Sequence, residues 1–188
     1  MNWRSDAIVF GVADAKRADK PLHYTLCGLD NVYLVSGFEE ITIDGEAYTS
    51  VTNVDGLHQM IALRLAVLLR PLNSQEVRFL RKYLAMSQEQ LGRLFKVTRK
   101  TANEYERGTE MPRPSQIVLQ LKVARRLFEE LEGQSHLHVL NDWLDSIVNE
   151  ATSWLLDHEE SDGQERPPAF MVNAVFSNWR IETNGQLL

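Results

Sequence analysis

Apolar residues change their spacing twice along the chain. Up to residue 52 they come in short runs rich in β-branched and aromatic side chains, at 7–12, 22–26 and 32–35. Such runs read as strands. Two more strands, 40–43 and 46–52, flank Asp44-Gly45, a pair suited to a two-residue hairpin turn. Gly28-Leu29-Asp30-Asn31 and Ser36-Gly37 are further turns. This pattern predicts a small antiparallel sheet or meander. From residue 55 the spacing becomes helical. Asp55 is placed to cap a helix over 56–69, with Leu57, Ile61, Leu65 and Leu68 on one side and Pro71 ending it. Asn73 or Ser74 caps the next, with Val77, Leu80 and Leu84 inward.

Two short helices follow. Ser87 opens the first, and Gln90 completes a capping box; Leu91, Leu94 and Phe95 form its apolar side. Thr98 caps the second, which runs to about Arg107 and stops at Gly108. Ala102 and Tyr105 supply its inner side. Met111-Pro112-Arg113-Pro114 is a stiff connector. Ser115 then caps a long helix to Glu132, with Ile117, Leu121, Ala124, Leu127, Phe128 and Leu131 inward.

The last third predicts a heptad-like helix over 138–160, carrying Leu140, Trp143, Leu144, Ile147, Ala151, Trp154 and Leu155 on one side. That side fits either a dimer seam or packing on the protein's own sheet. An acidic linker spans 159–168, and 169–176 and 178–182 alternate like a final strand or two. The fold class is therefore α+β. A small N-terminal antiparallel β domain covers 1–54 and a five-helix-type bundle covers 55–132. An acidic C-terminal helix-plus-strand region, for dimerisation or partner contact, covers 133–188.

Charge sharpens this division. The net charge is −6 over 188 residues. Residues 1–63 hold 4 basic and 9 acidic side chains, 64–126 hold 14 and 5, and 127–188 hold 2 and 12. The positive charge is confined to the helical middle. Phosphate contacts dominate nucleic-acid affinity, so local charge is what matters. No apolar run reaches the roughly 20 residues of a membrane span, and Asp6 and Asp14 interrupt any leader-like stretch. Cys27 is the only cysteine, which excludes an internal disulfide and an all-cysteine zinc site. A reducing cytoplasm is the expected compartment.

On the second short helix, Arg99, Lys100, Asn103, Glu104 and Arg107 point outward. Arg and Lys suit guanine O6 and N7, and Asn suits adenine N6 and N7, so Arg99, Lys100 and Asn103 are the base-reading candidates. Gln88 begins a helix whose free N–H groups favour a phosphate, and Thr98 and Thr101 add hydroxyl donors. Arg107 and Arg93, with Arg113, are further phosphate candidates. Glu106 is expected to pair with a nearby arginine, and Tyr105 to belong to the core. His23 and Cys27, or His136 and His138, are spaced like metal ligands, but a closed zinc site needs four. No phosphate loop, nucleophile elbow or zinc-protease motif is present. No metal, no cofactor and no enzyme activity are expected.

Residues 74–126 resemble the helix-turn-helix of the phage-repressor-like (Xre/Cro) regulators. Gln88, Gly92, Val97, Thr98, Thr101, Tyr105, Glu106 and Gly108 fall on that family's pattern. Lys96 stands where the family usually has a left-handed glycine, and Gly92 where it usually has alanine. The resemblance implies a homodimeric repressor on a near-palindromic double-stranded operator, with half-sites about 34 Å apart. The layout also resembles MqsA-type antitoxins, whose β domain holds a four-cysteine zinc site and binds a toxin. Those cysteines are absent here. The alternative expectation is an antitoxin whose acidic ends hold a basic partner while it represses its own operon. A sensor or enzyme built on the N-terminal sheet is the third.

Overall fold

The computed structural model describes residues 7–67, 70–130, 179–183 and 186–187. The architecture is α+β. Five N-terminal strands are β1 (Ile8–Val12), β2 (Leu22–His23), β3 (Val32–Leu34), β4 (Phe38–Ile43) and β5 (Glu46–Val51). The helices are α1 (Val54–Ala66), α2 (Ser74–Tyr83), α3 (Gln88–Phe95), α4 (Arg99–Tyr105) and α5 (Arg113–Glu130). Strands β6 (Trp179–Thr183) and β7 (Gln186–Leu187) close the order. The expected helix over 138–160, the linker over 159–168, the strand over 169–176 and the Leu68 position lie outside the described residues. None of the described helices is long and apolar enough to cross a membrane.

The chain forms two compact units. One holds the residues up to Ile61 together with β6 and β7, and the other begins at Ala62. In the first, five strands run in the order β2-β3-β1-β6-β7. The sheet is mixed. Antiparallel pairing holds between β2 and β3 and between β1 and β6, but β1 and β3 run parallel, with Ile8 opposite Val32 and Phe10 opposite Leu34. A parallel pair needs a long connection, and residues 13–31 supply it, with β2 folding back onto the outer edge of β3. The strand foreseen over 178–182 is β6, and it lies beside β1, with Phe10 opposite Ile181 and Val12 opposite Trp179. Ile8, Val9 and Phe10 are all buried without alternation, so both faces of β1 are covered. Trp179 is fully buried, and its indole Nε1 donates to the carbonyls of Thr52 (3.0 Å) and Asn53 (3.1 Å). The β4–β5 hairpin is a separate two-stranded sheet turning at Asp44-Gly45, as its sequence implies.

Asn53, rather than Asp55, caps α1: its Oδ1 accepts the Gly56 N–H at 3.0 Å. Asp55 instead sits in the first turn, where a carboxylate complements the helix dipole. Leu57, Ile61 and Leu65 are buried, as are Met60, Ala62, Leu63 and Ala66. In the second unit Asn73 and Glu76 form a capping box at the start of α2. The buried Glu76 carboxylate also takes the Arg70 guanidinium, at 2.6 and 2.9 Å.

Helix α5 starts at Arg113 rather than after Ser115, because Pro112 O accepts the N–H groups of Ser115 and Gln116. Pro114 then occupies the first turn, where its missing N–H costs nothing. The buried side is Gln116, Leu119, Gln120, Val123, Ala124 and Leu127. Ile117 and Leu121, expected inward, are only half-buried. The stripe is rotated because two glutamines hold backbone groups inside. Gln116 Oε1 accepts Leu72 N–H and its Nε2 donates to Met111 O, both at 2.7 Å. Gln120 Nε2 donates to Leu65 O at 2.9 Å. The side chain of Phe128, and Leu131, lie outside the described residues.

Candidate nucleic-acid interface

The site is built on α3, α4 and the turn between them. Ser87 Oγ accepts the Gln90 N–H at 3.1 Å, and Gln90 Oε1 accepts the Ser87 N–H at 2.6 Å. This reciprocal box fixes where α3 starts. The helix ends at Lys96, whose backbone is left-handed (φ 56°, ψ 37°). A lysine there costs on the order of 1 kcal/mol relative to glycine. Its exposed side chain adds no packing strain. Val97 N–H then closes back on Gly92 O at 2.9 Å. A Cβ at Gly92 would meet Val97 O at 2.8 Å and Thr98 O at 3.2 Å. The turn lies directly on the α3 backbone, and only glycine leaves room for it here. Thr98 caps α4, its Oγ1 accepting the Thr101 N–H at 3.1 Å.

Leu80, Leu91, Ala102 and Tyr105 pack the inside of this arrangement. Beside them lies the Glu106 carboxylate, its side chain fully buried. Arg81 grips it with Nε on Oε1 and Nη2 on Oε2 (3.1 Å), and Gln88 Nε2 donates to Oε2 at 2.9 Å. Arg78 adds positive charge 3.8 Å away. The third guanidinium nitrogen of Arg81 donates to Met86 O at 2.6 Å. Burial alone pushes the Glu106 carboxyl upward in pKa. The bonds from Arg81 and Gln88 and the charges of Arg81 and Arg78 outweigh it, so the net shift is downward. The group is an ionised clamp joining α2, α3 and the end of α4.

Of the base-reading candidates, Arg99 and Lys100 are exposed on the first turn of α4, and Asn103 is half-buried one turn on. Arg99 has no ion-pair partner among the described residues. Lys100 lies 3.9 Å from Glu104, a loose exposed pair worth a few tenths of a kcal/mol. The three therefore share one helix and keep their polar atoms available. The phosphate candidates divide. Arg107 is exposed just past α4, without an ion pair among the described residues, and Arg93 is exposed but 3.4 Å from Glu89. Gln88 is turned toward Glu106, so its side-chain amide is partly committed to the clamp. The Thr98 and Thr101 hydroxyls bond each other at 3.0 Å, which leaves one of their two protons to donate outward. Arg113 instead donates to Arg70 O at 3.2 Å and Gln116 Oε1 at 3.3 Å.

The arginine for Glu106 could not be singled out from sequence alone. A signal existed: Arg81 follows Val77 by four residues and Leu80 by one, on the inward stripe of α2, an unusual place for a cation. Among the described residues no group of three or more His, Cys, Asp or Glu is placed to hold a metal ion. His23 stacks on Tyr33 with its Nε2 2.8 Å from Asp30 O, and Cys27 donates to Tyr24 O. Comparison with protein-family models, with curated proteins and with solved structures finds no match to this chain.

Proposed function

We propose that this protein is a sequence-specific DNA-binding transcriptional regulator, a homodimeric repressor that lays α4 in the major groove of a near-palindromic operator. One observation carries the reading. Arg99, Lys100 and Asn103 stand together on the outer side of a short helix whose inner side is fixed by Ala102, Tyr105 and the Glu106 clamp. Rigid mounting of outward donors is what base readout requires. The basic segment around them, 14 cations against 5 acids over residues 64–126, supplies the attraction for phosphates. Arg107 and Arg93 flank the reading positions as phosphate contacts, and the Thr98–Thr101 pair can donate one hydroxyl.

Selection of bound fragments from random duplex DNA tests this directly. Arg99→Ala and Asn103→Ala should each relax the preference at one operator position by about 1–3 kcal/mol without loss of fold. Operator affinity should fall steeply as salt rises. A protein that ignores every duplex at low ionic strength overturns the reading, as does unchanged sequence preference in both variants.

A second reading, an antitoxin that represses its own operon, keeps the same DNA surface. It is favoured by the excess of acid in residues 1–63, 9 against 4 cations, which suits a basic protein partner. Co-expression with a neighbouring basic gene product separates the two: a stable complex that relieves toxicity would add the antitoxin role.

A further inference from the structure

We propose that the β4–β5 hairpin is a dimerisation arm, and that its β5 edge pairs antiparallel with the β5 edge of a second copy of this chain. The proposal gives an interface to the homodimer of the preceding section. It starts from an anomaly. The hairpin is a sheet of only two strands, and every residue from 39 to 50 is exposed. A lone two-stranded ribbon is at best marginally stable in water. Yet Ile41, Ile43 and Tyr48 are among the exposed large apolar side chains, at 42%, 53% and 50% exposure. The cross-strand register puts them on one side of the ribbon: Ile41 opposes Tyr48 and Ile43 opposes Glu46.

The phase of the ladder follows from its two ends. Asp44 and Gly45 both have positive φ (53° and 85°), the requirement of a two-residue primed turn. Such a turn makes its flanking pair, Ile43 and Glu46, a hydrogen-bonded one. At the other end Thr52 N–H donates to Gly37 O at 2.9 Å, six residues from Ile43 and Glu46 and so in the same phase. Residues 46, 48 and 50 of β5 thus spend their backbone groups on β4. Residues 47, 49 and 51 turn theirs to the open edge, where no described strand covers them. Neither lysine nor proline guards that edge.

Charge favours the β5 edge over the β4 edge, and the apolar row through Ile41 and Tyr48 sets the register. The β4 edge carries Glu39 and Glu40 side by side. Two β4 strands brought together about Ile41 would set Glu40 diagonally across from its own copy. On the β5 edge the only acid is Glu46. Pairing centred on Tyr48 sets Glu46 opposite Ser50 and Ala47 opposite Thr49 of the second copy, with no acid facing an acid. Ala47 and Thr49 would exchange the edge hydrogen bonds, and the two Tyr48 residues would face each other as a close, non-hydrogen-bonded pair. The result is a two-fold, four-stranded sheet with order β4-β5-β5-β4. One of its faces carries an unbroken apolar row, Ile41–Tyr48–Tyr48–Ile41, and the acidic β4 strands stay outermost.

Cysteine cross-linking of the full chain, in a Cys27→Ser background, tests the register. Tyr48→Cys should give a disulfide-linked dimer under mild oxidation in most of the protein, whereas Ile41→Cys should remain monomeric on a non-reducing gel. Thr49→Pro removes an edge N–H that β4 does not use, and it should raise the dimer Kd about tenfold or more in sedimentation. If Thr49→Pro fails to fold, the two cysteine variants still decide, since both positions are exposed. A monomer at all concentrations overturns the proposal, and so does a dimer that Ile41→Cys traps and Tyr48→Cys does not. Operator binding by a dimer that Tyr48→Cys fails to trap would remove this interface and leave the DNA reading standing. A trapped dimer that binds no duplex would do the reverse.

Discussion

The helical unit and the sheet unit handle polar groups differently. Around the helix-turn-helix, Glu76, Glu106, Gln116 and Gln120 are buried, and each holds an arginine or a backbone group. Among the described residues of the β unit the buried polar ones are the neutral Asn31 and Ser36, and its core is the apolar set around Phe10, Leu34 and Trp179. The first arrangement gives up some stability, since a buried ion pair does not beat an apolar one, and gains a single fixed geometry for the helices that carry Arg99 and Asn103. The second maximises burial, and its acidic side chains among the described residues stay in water. The helical unit is thus mounted on directional bonds, while the β unit is held by area.

Each half of that contrast can be broken separately. The largest loss should come from Trp179→Ala, about 3–5 kcal/mol from the cavity, with two carbonyl partners also lost. Hydrogen exchange should speed up in β1 and β3 and stay unchanged in α3 and α4. Glu106→Ala should cost a similar or slightly smaller 3–5 kcal/mol, because it strands the Arg81 guanidinium, only 12% exposed, without its anion. Here exchange should speed up in α2–α4 instead. The same carboxylate sets an acid limb. Its pKa is lowered by folding, so its stabilisation is complete above the ordinary carboxylate range and is lost as pH falls below about 4. Chemical denaturation of Glu106→Gln across that range should show a flatter pH dependence. Gly92→Ala sets a helix-propensity gain of roughly 1 kcal/mol against a Cβ too close to Val97 O, and should destabilise by about 1–2 kcal/mol on balance. The smallest effect, of opposite sign, is Lys96→Gly. Relief of the left-handed backbone should raise the melting temperature slightly, by no more than about 1 kcal/mol of stability.

The same contrast governs what could be read from the chain beforehand. The helical unit announces itself because its signals are local. Ser87 with Gln90, Thr98 with Thr101, and the left-handed Lys96 all act within four residues. The Asp44-Gly45 hairpin was legible for the same reason. What escaped was non-local: Trp179 meets Thr52 across 127 residues, and Arg81 meets Glu106 across 25. No pattern within either segment names its partner. The parallel pairing of β1 with β3 was hidden too, since a short apolar run fits either strand direction. Asn53 and Asp55 are both ordinary capping residues, so the start of α1 was ambiguous. The rotated stripe of α5 has another cause. A polar side chain looks outward on a helical wheel until the backbone group it satisfies inside is known.

The position of β6 has a consequence for how the chain is made. A ribosome delivers residues in order, at about 5–20 per second, and domains usually fold as they emerge. Here β1 is synthesised long before β6, the neighbour that carries Trp179. Helices α2–α5 end at Glu130, so α3 and α4 leave the ribosome at least roughly 3–11 s before β6 is complete. One edge of β1 thus stays unpaired until β6 arrives, and Phe10, Gly11 and Val12 are the residues that wait for it.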